Sequence, residues 1–172
     1  GFATPGMYAK ASADAHFEWY RALGVNTIQT FCVSCPGYAW YNSKVAPVQP
    51  GMQGEFLKDL VKLGHGAGMR VMGYFCIGAN TYWNETHPDL SHNFPSPISI
   101  PFTKTYLGYL ERVIYEAVEQ TGMDGFMIDW VYNASHPALC GRTEPFDHVE
   151  VAYGVDAGIF CAHTANVPLS RY

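Results

Sequence analysis

Charge is scarce in this sequence. Lys and Arg number 10 and Asp and Glu 15 among 172 residues, so charged side chains make up 15%, against the ~25% usual in soluble domains. The net balance is −5 and Lys and Arg form no cluster, which tells against a nucleic-acid groove. No apolar run approaches the ~20 residues of a helical membrane span. A charged, apolar leader is also missing, and because the chain begins at Gly1 and not Met, further sequence upstream is expected. The compartment and the oligomeric state stay open.

Two further absences narrow the chemistry. The phosphate-binding pattern G-x-G-x-x-G does not follow the first predicted strand, which disfavours an open dinucleotide-binding sheet. Among seven histidines there is no His-x-His pair at a strand end, so a metal centre is disfavoured, and the pattern requires no cofactor. Five cysteines are an odd number, leaving at least one unpaired or bonded outside the chain. Cys32 and Cys35 make a C-x-x-C in "TFCVSCPGYAW" with no helix N-terminus or second ligand pair beside them. That spacing reads as structural or incidental.

What the chain does have is aromatic surface: 12 tyrosines and 4 tryptophans, with aromatics at 15% overall. Such a composition suits stacking on flat or ring-shaped ligands. The hydrophobic periodicity alternates between helix and strand. "SADAHFEWYRAL" (12–23) puts Ala13, Phe17 and Tyr20 on one helical face, with Ser12 as N-cap and Gly24 closing the end. "VNTIQTFCV" (25–33) is strand-like. Residues 54–67 return to helical spacing through Phe56, Leu60, Leu63 and Ala67, and "MRVMGYFCIG" (69–78) reads as a covered parallel strand. A helix over about 104–121 carries Leu107, Leu110, Ile114 and Ala117 on one face and ends at Gly122.

The order is helix, strand, three times over. Helix-to-strand links are short, while the strand-to-helix loops are long and rich in Gly, Pro and aromatics. In parallel α/β folds, functional loops leave the C-terminal ends of strands, so this asymmetry predicts a (β/α) barrel. A whole barrel takes ~250 residues. Three units predict a partial barrel over residues 1–133, a fragment, followed by an irregular tail over 134–172.

"GMDGFMIDWVYN" (122–133) holds the most informative residue. Phe126, Met127, Ile128, Trp130, Val131 and Tyr132 read as a strand buried on both faces, with Asp129 in its middle. An unpaired carboxylate is too costly to leave in an apolar core. Either Asp129 is paired for structural reasons, or the strand opens there into a pocket and the charge is used. Three loop ends would converge on that rim. The candidates for contact with a sugar are Tyr38, Trp40, Asn80, His87 and Asn133, together with Tyr74, whose strand parity faces the barrel interior. For Trp40 and Tyr38 simple capping of the barrel is an equal alternative, and for His87 so is a loop-ordering hydrogen bond. Trp130, next to Asp129, is expected to point to the opposite face and pack. A strand-end carboxylate beneath aromatic loops is placed to attack an anomeric carbon or to stabilise its positive charge.

"ALGVNTIQTF", "CPGYAWYNSK", "GMRVMGYFCIGAN", "HPDL" and "GMDGFMIDW", in this order over residues 15–133, resemble glycoside hydrolases related to α-L-fucosidases. The resemblance implies a retaining (β/α)8 hydrolase whose nucleophile ends the fourth strand. The strands here would be the second, third and fourth, and Asp129 would match the nucleophile. The general acid of such enzymes comes from beyond the fourth strand, where Glu144 in "CGRTEPF" is the nearby candidate. The implied partner is a carbohydrate. The alternative is a non-catalytic carbohydrate-binding or degenerate barrel module.

Overall fold

The computed structural model describes residues 3–90, 100 and 102–130. The predicted tail, with Asn133 and Glu144, lies outside the described residues. Helix α1 (Ala13–Ala22) leads into β1 (Thr27–Val33), α2 (Phe56–Gly66) into β2 (Arg70–Cys76), and α4 (Lys104–Thr121) into β3 (Gly125–Asp129). A short α3 (Thr81–Thr86) and a 3-10 turn (Pro88–Leu90) sit within the second long loop, which the sequence pattern left without a helix. The three strands form one parallel sheet in the order β1-β2-β3, with Thr27 opposite Arg70 and Cys76 opposite Asp129.

The helices start and stop for local reasons. Ser12 Oγ accepts from the Ala15 amide at 3.3 Å, and Thr103 Oγ1 from the Tyr106 amide at 3.2 Å, each capping an orphan donor of a first turn. Gly122 ends α4 in the left-handed region at φ 70°, where a Cβ would be strained. Leu57, Leu60 and Val61 of α2 are buried, and Gly64 lets α2 settle onto Ile28 and Val71 of the sheet. A Cβ at Gly64 would overlap the Val71 side chain. Each of these buried aliphatics contributes about 1.5–3 kcal/mol of transfer free energy.

Strand parity then divides the sheet. Ile28 and Cys32 on β1 and Val71 and Phe75 on β2 are buried toward the helices, with Met123 packed at Gly73. Gln29, Phe31, Tyr74 and Asp129 occupy the other face. The first long loop is latched to the helical layer by Glu116 of α4. That carboxylate accepts from the Tyr41 hydroxyl at 3.2 Å, the Ser43 hydroxyl at 2.5 Å and the Lys44 amide at 2.7 Å. Tyr20 of α1 ties the helix to β1, its hydroxyl donating to the Gln29 carbonyl at 3.0 Å.

The third strand corrects the sequence expectation. It ends at Asp129, and Met127 and Ile128, expected to be buried, are 40% and 49% exposed. The physical reason is its place at the sheet edge. β3 pairs only with β2, and among the described residues nothing covers its second edge.

Candidate active site

At the C-terminal end of the sheet lies a cavity of about 790 Å³. Its wall includes Phe31 and Gln29 from β1, Tyr74 from β2, Asp129 from β3, and Trp40 and Phe56 from the first loop and the start of α2. Asp129 is half-buried there, and both of its oxygens are engaged. Oδ2 accepts from the Tyr74 hydroxyl at 2.6 Å, and Oδ1 accepts from the Trp130 backbone amide at 2.7 Å. No Lys or Arg pairs with it among the described residues. The carboxylate is thus oriented by two donors without being neutralised.

Trp130 itself follows the strand in an unusual backbone conformation. Its φ is 56°, a left-handed conformation that a bulky residue adopts only at a cost of about 1–3 kcal/mol. That φ turns the chain out of the strand direction directly after Asp129. It also breaks the alternation of the strand, so Trp130 lines the cavity where parity predicted the opposite face.

Two thiols meet behind the phenol. Cys76 Sγ donates to the Tyr74 hydroxyl oxygen at 3.2 Å, and Cys35 Sγ lies 3.6 Å from the same oxygen. Burial, and then the bond to Asp129, push the Tyr74 phenol well above its ordinary value, so it stays a proton donor. The Cys35 thiol is held down to about 7, first by the Cys76 thiol and then by Tyr74, against burial and the Asp129 charge. His16, also on the cavity wall, is lowered by burial and packs edge-on against Phe56 with ring centroids 5.4 Å apart. Among the described residues no three His, Cys, Asp or Glu side chains are grouped to hold a metal ion, and no helix is long and apolar enough to cross a membrane.

The profile of the family described as hypothetical glycosyl hydrolase 6 matches residues 12–130. The chain belongs to that family. No curated protein matches it. Among solved structures, α-L-fucosidase isoenzyme 2 from Paenibacillus thiaminolyticus is similar, with TM-score 0.64 and 19% identity over 90% of this chain and 25% of that one. A hypothetical protein from Ruminiclostridium thermocellum gives TM-score 0.61 and 15% identity over 91% and 86%. The α-fucosidase of Thermotoga maritima, solved with fucose, gives 0.54 and 18% over 70% and 29%. At these identities the likeness shows the fold, a partial (β/α) barrel of the TIM type. This member of the glycosyl hydrolase family spans about a quarter of the length of the first fucosidase.

The predicted site residues of this family member separate into three groups. Tyr74 and Asp129 come together on the cavity, and Trp40 forms part of its wall. With only 1% of its surface exposed, stacked on Phe31 at 5.2 Å and against Phe56 at 5.7 Å, Trp40 supplies wall and not a free ring face. Tyr38, Asn80 and His87 lie off the lining. Tyr38 packs on Tyr82, with ring centroids 5.8 Å apart. Asn80 is buried and caps α3 by accepting from the Trp83 amide at 2.8 Å. A Cβ at Gly37, whose φ is +94°, would overlap that asparagine. His87 stacks on Trp83 at 3.8 Å and 8°, with Nδ1 2.9 Å from the Thr86 hydroxyl. Asn133 and Glu144 form the third group, outside the described residues. The structure adds Gln29, His16 and Cys35 to the wall. Gln29 was available from strand parity, two residues from Phe31. His16, three residues after Ala13 and four before Tyr20, shares the α1 face that the periodicity marks and packs against Tyr20 with ring centroids 5.6 Å apart.

Proposed function

We propose that this chain carries the nucleophile of a retaining glycoside hydrolase, α-L-fucosidase-like in type, and that Asp129 is that nucleophile. The observation that carries this reading is a carboxylate at the C-terminal end of a parallel strand, facing a cavity and held by two donors with, among the described residues, no Lys or Arg paired to it. Barrel enzymes place their reacting groups at that end of the strands. The rings of Phe31, Phe56, Tyr8 and Trp130 line the cavity and suit the apolar faces of a sugar. In the reaction, one Asp129 oxygen attacks the anomeric carbon as the glycosidic C–O bond breaks. A second carboxyl, ~5–5.5 Å away in retaining enzymes, protonates the leaving oxygen and then activates the water that frees the sugar. Glu144 is the candidate for that second role.

One observation favours a second reading, a non-catalytic carbohydrate-binding module. Among the described residues lining the cavity, Asp129 is the lone carboxylate. Kinetics with aryl glycosides on the full-length protein separates the two. Asp129→Ala is expected to cut turnover by orders of magnitude with the fold intact, and Asp129→Gly with added azide to yield a glycosyl azide. Oligosaccharide binding with no turnover in the wild-type protein would establish the module instead.

A further inference from the structure

We propose that Cys35 and Cys76 form a thiol–disulfide exchange site on the cavity floor, with Cys35 attacking small disulfides of the glutathione class and Cys76 resolving the adduct. Geometry selects this pair over the C-x-x-C seen in the sequence. Cys32 is buried within the sheet, and burial pushes its thiol far above the ordinary value, so it takes no part. Cys35 lies in the turn just after β1, where the Gly37 amide donates to the Ser34 carbonyl at 2.7 Å, and it lines the cavity. Cys76 ends β2 directly behind it, 2% exposed. Both sulfurs reach the same oxygen, the Tyr74 hydroxyl, at 3.6 and 3.2 Å. One thiol is therefore open to a reagent and the other is open only to its neighbour, the arrangement of an attacking and a resolving cysteine.

The charges support that order. The groups facing Cys35 are the Cys76 thiol and Tyr74 phenol of β2 and the Asp129 carboxylate of β3. When Cys35 ionises, the Cys76 S–H turns from the Tyr74 hydroxyl oxygen to the Cys35 thiolate, and the pair gives up its first proton near 7 while the second is held far higher. Cys35 thiolate attacks one sulfur of the reagent disulfide, forming a mixed disulfide and releasing one thiolate, which takes up a proton. The Cys35 charge, the largest of the influences holding the Cys76 proton, is then gone, while burial and Asp129 remain. Cys76 attacks Cys35 Sγ as its proton passes to the departing reagent sulfur, releasing the second reagent thiol. Two protein thiols are oxidised by two electrons, and one reagent disulfide is reduced to two thiols. Closure needs an S–S bond of ~2.05 Å, reached by drawing the turn at Cys35 toward β2. It also withdraws the S–H that Tyr74 accepts while that phenol serves Asp129.

The test is independent of glycosidase activity. The folded full-length protein is treated with glutathione disulfide, quenched by alkylation in acid, and mapped by non-reducing peptide mass spectrometry. The expected product is a Cys35–Cys76 disulfide with Cys32 reduced. Cys76→Ser keeps a donor for Tyr74 and should instead trap one glutathione on Cys35. Should that variant fail to fold, iodoacetamide alkylation of wild-type Cys35 is followed against pH, with a midpoint near 7 expected. An unmodified Cys35, a lasting glutathione adduct in wild type, a Cys32–Cys35 link, or a midpoint at the ordinary thiol value would each overturn the assignment.

Discussion

Tyr74→Phe separates two roles for the residue that touches the carboxylate. The substitution removes one oxygen and keeps the ring, so the edge-on contact with Phe31, centroids 5.6 Å apart, is preserved. What disappears is the 2.6 Å bond to Asp129 Oδ2, a hydrogen bond to a charged group, worth about 1.5–3 kcal/mol. Asp129 is half-buried and keeps the Trp130 amide, so water replaces much of the loss in the resting protein. Thermal stability should therefore change by no more than ~1 kcal/mol. In the reaction the carboxylate must point at one carbon, and water cannot substitute for a fixed donor. If the whole bond is lost at the transition state, kcat falls by roughly 10- to 150-fold, at 1.36 kcal/mol per tenfold. Steady-state kinetics of the full-length protein with an aryl glycoside, beside a melting curve, reads both quantities. A raised KM at unchanged kcat would refute the positioning role and make Tyr74 a sugar contact. No change in either would show that the bond is idle.

Glu116→Ala should destabilise the protein by about 1–3 kcal/mol in denaturant titrations, because Ser43 and the Lys44 amide lose their shared acceptor. The same variant should loosen residues 34–55 selectively in hydrogen exchange; protection lost evenly across the sheet would count against a local latch. Asp124 gives a pH prediction. The Val71 amide at 2.7 Å, then His65 at 2.9 Å, hold its carboxyl below the ordinary value. A depressed folded value means stability that is fully present above the unfolded pKa of ~3.9 and is lost as pH falls through the folded one. Asp124→Asn should flatten that acid limb when unfolding is followed by circular dichroism from pH 5 to pH 2, and an unchanged limb would discount the group.

Much of the frame was legible in the sequence because it depends on local periodicity. Ser12, Gly24 and Gly122 punctuate helices by capping and by left-handed backbone, effects confined to a few residues. The parity of Tyr74 and Asp129 on adjacent strands was legible for the same reason. The loops were not. Trp40, Tyr38, Asn80 and His87 carry the residue types of a sugar site, yet Asn80 is consumed by a cap and a glycine contact and His87 by a stack on Trp83. An amide or imidazole in a loop has many possible partners, and composition does not say which it meets. The pairing of Cys35 with Cys76, 41 positions apart, depends on two strands being neighbours, whereas the visible C-x-x-C only depends on spacing.

The two aspartates at either end of the third strand, one just before it and one closing it, show how position decides use. Asp124 precedes β3 at the N-terminal end of the sheet, where short connections tie the fold together. It accepts from the Val71 backbone of the neighbouring strand and faces His65 and Arg70, the latter at 3.6 Å. Its charge is balanced and its lone pairs are spent on holding β2 and β3 in register. Asp129 ends the same strand five residues later. It meets a phenol from β2 and the amide of Trp130, and among the described residues it faces a cavity and pairs with no Lys or Arg. A carboxylate required only for structure would gain more from the first arrangement. Holding Trp130 at φ 56° costs free energy, and what that backbone secures is the indole on the cavity wall beside the carboxylate. That contrast, more than the burial of either acid, is the physical ground for placing chemistry at Asp129.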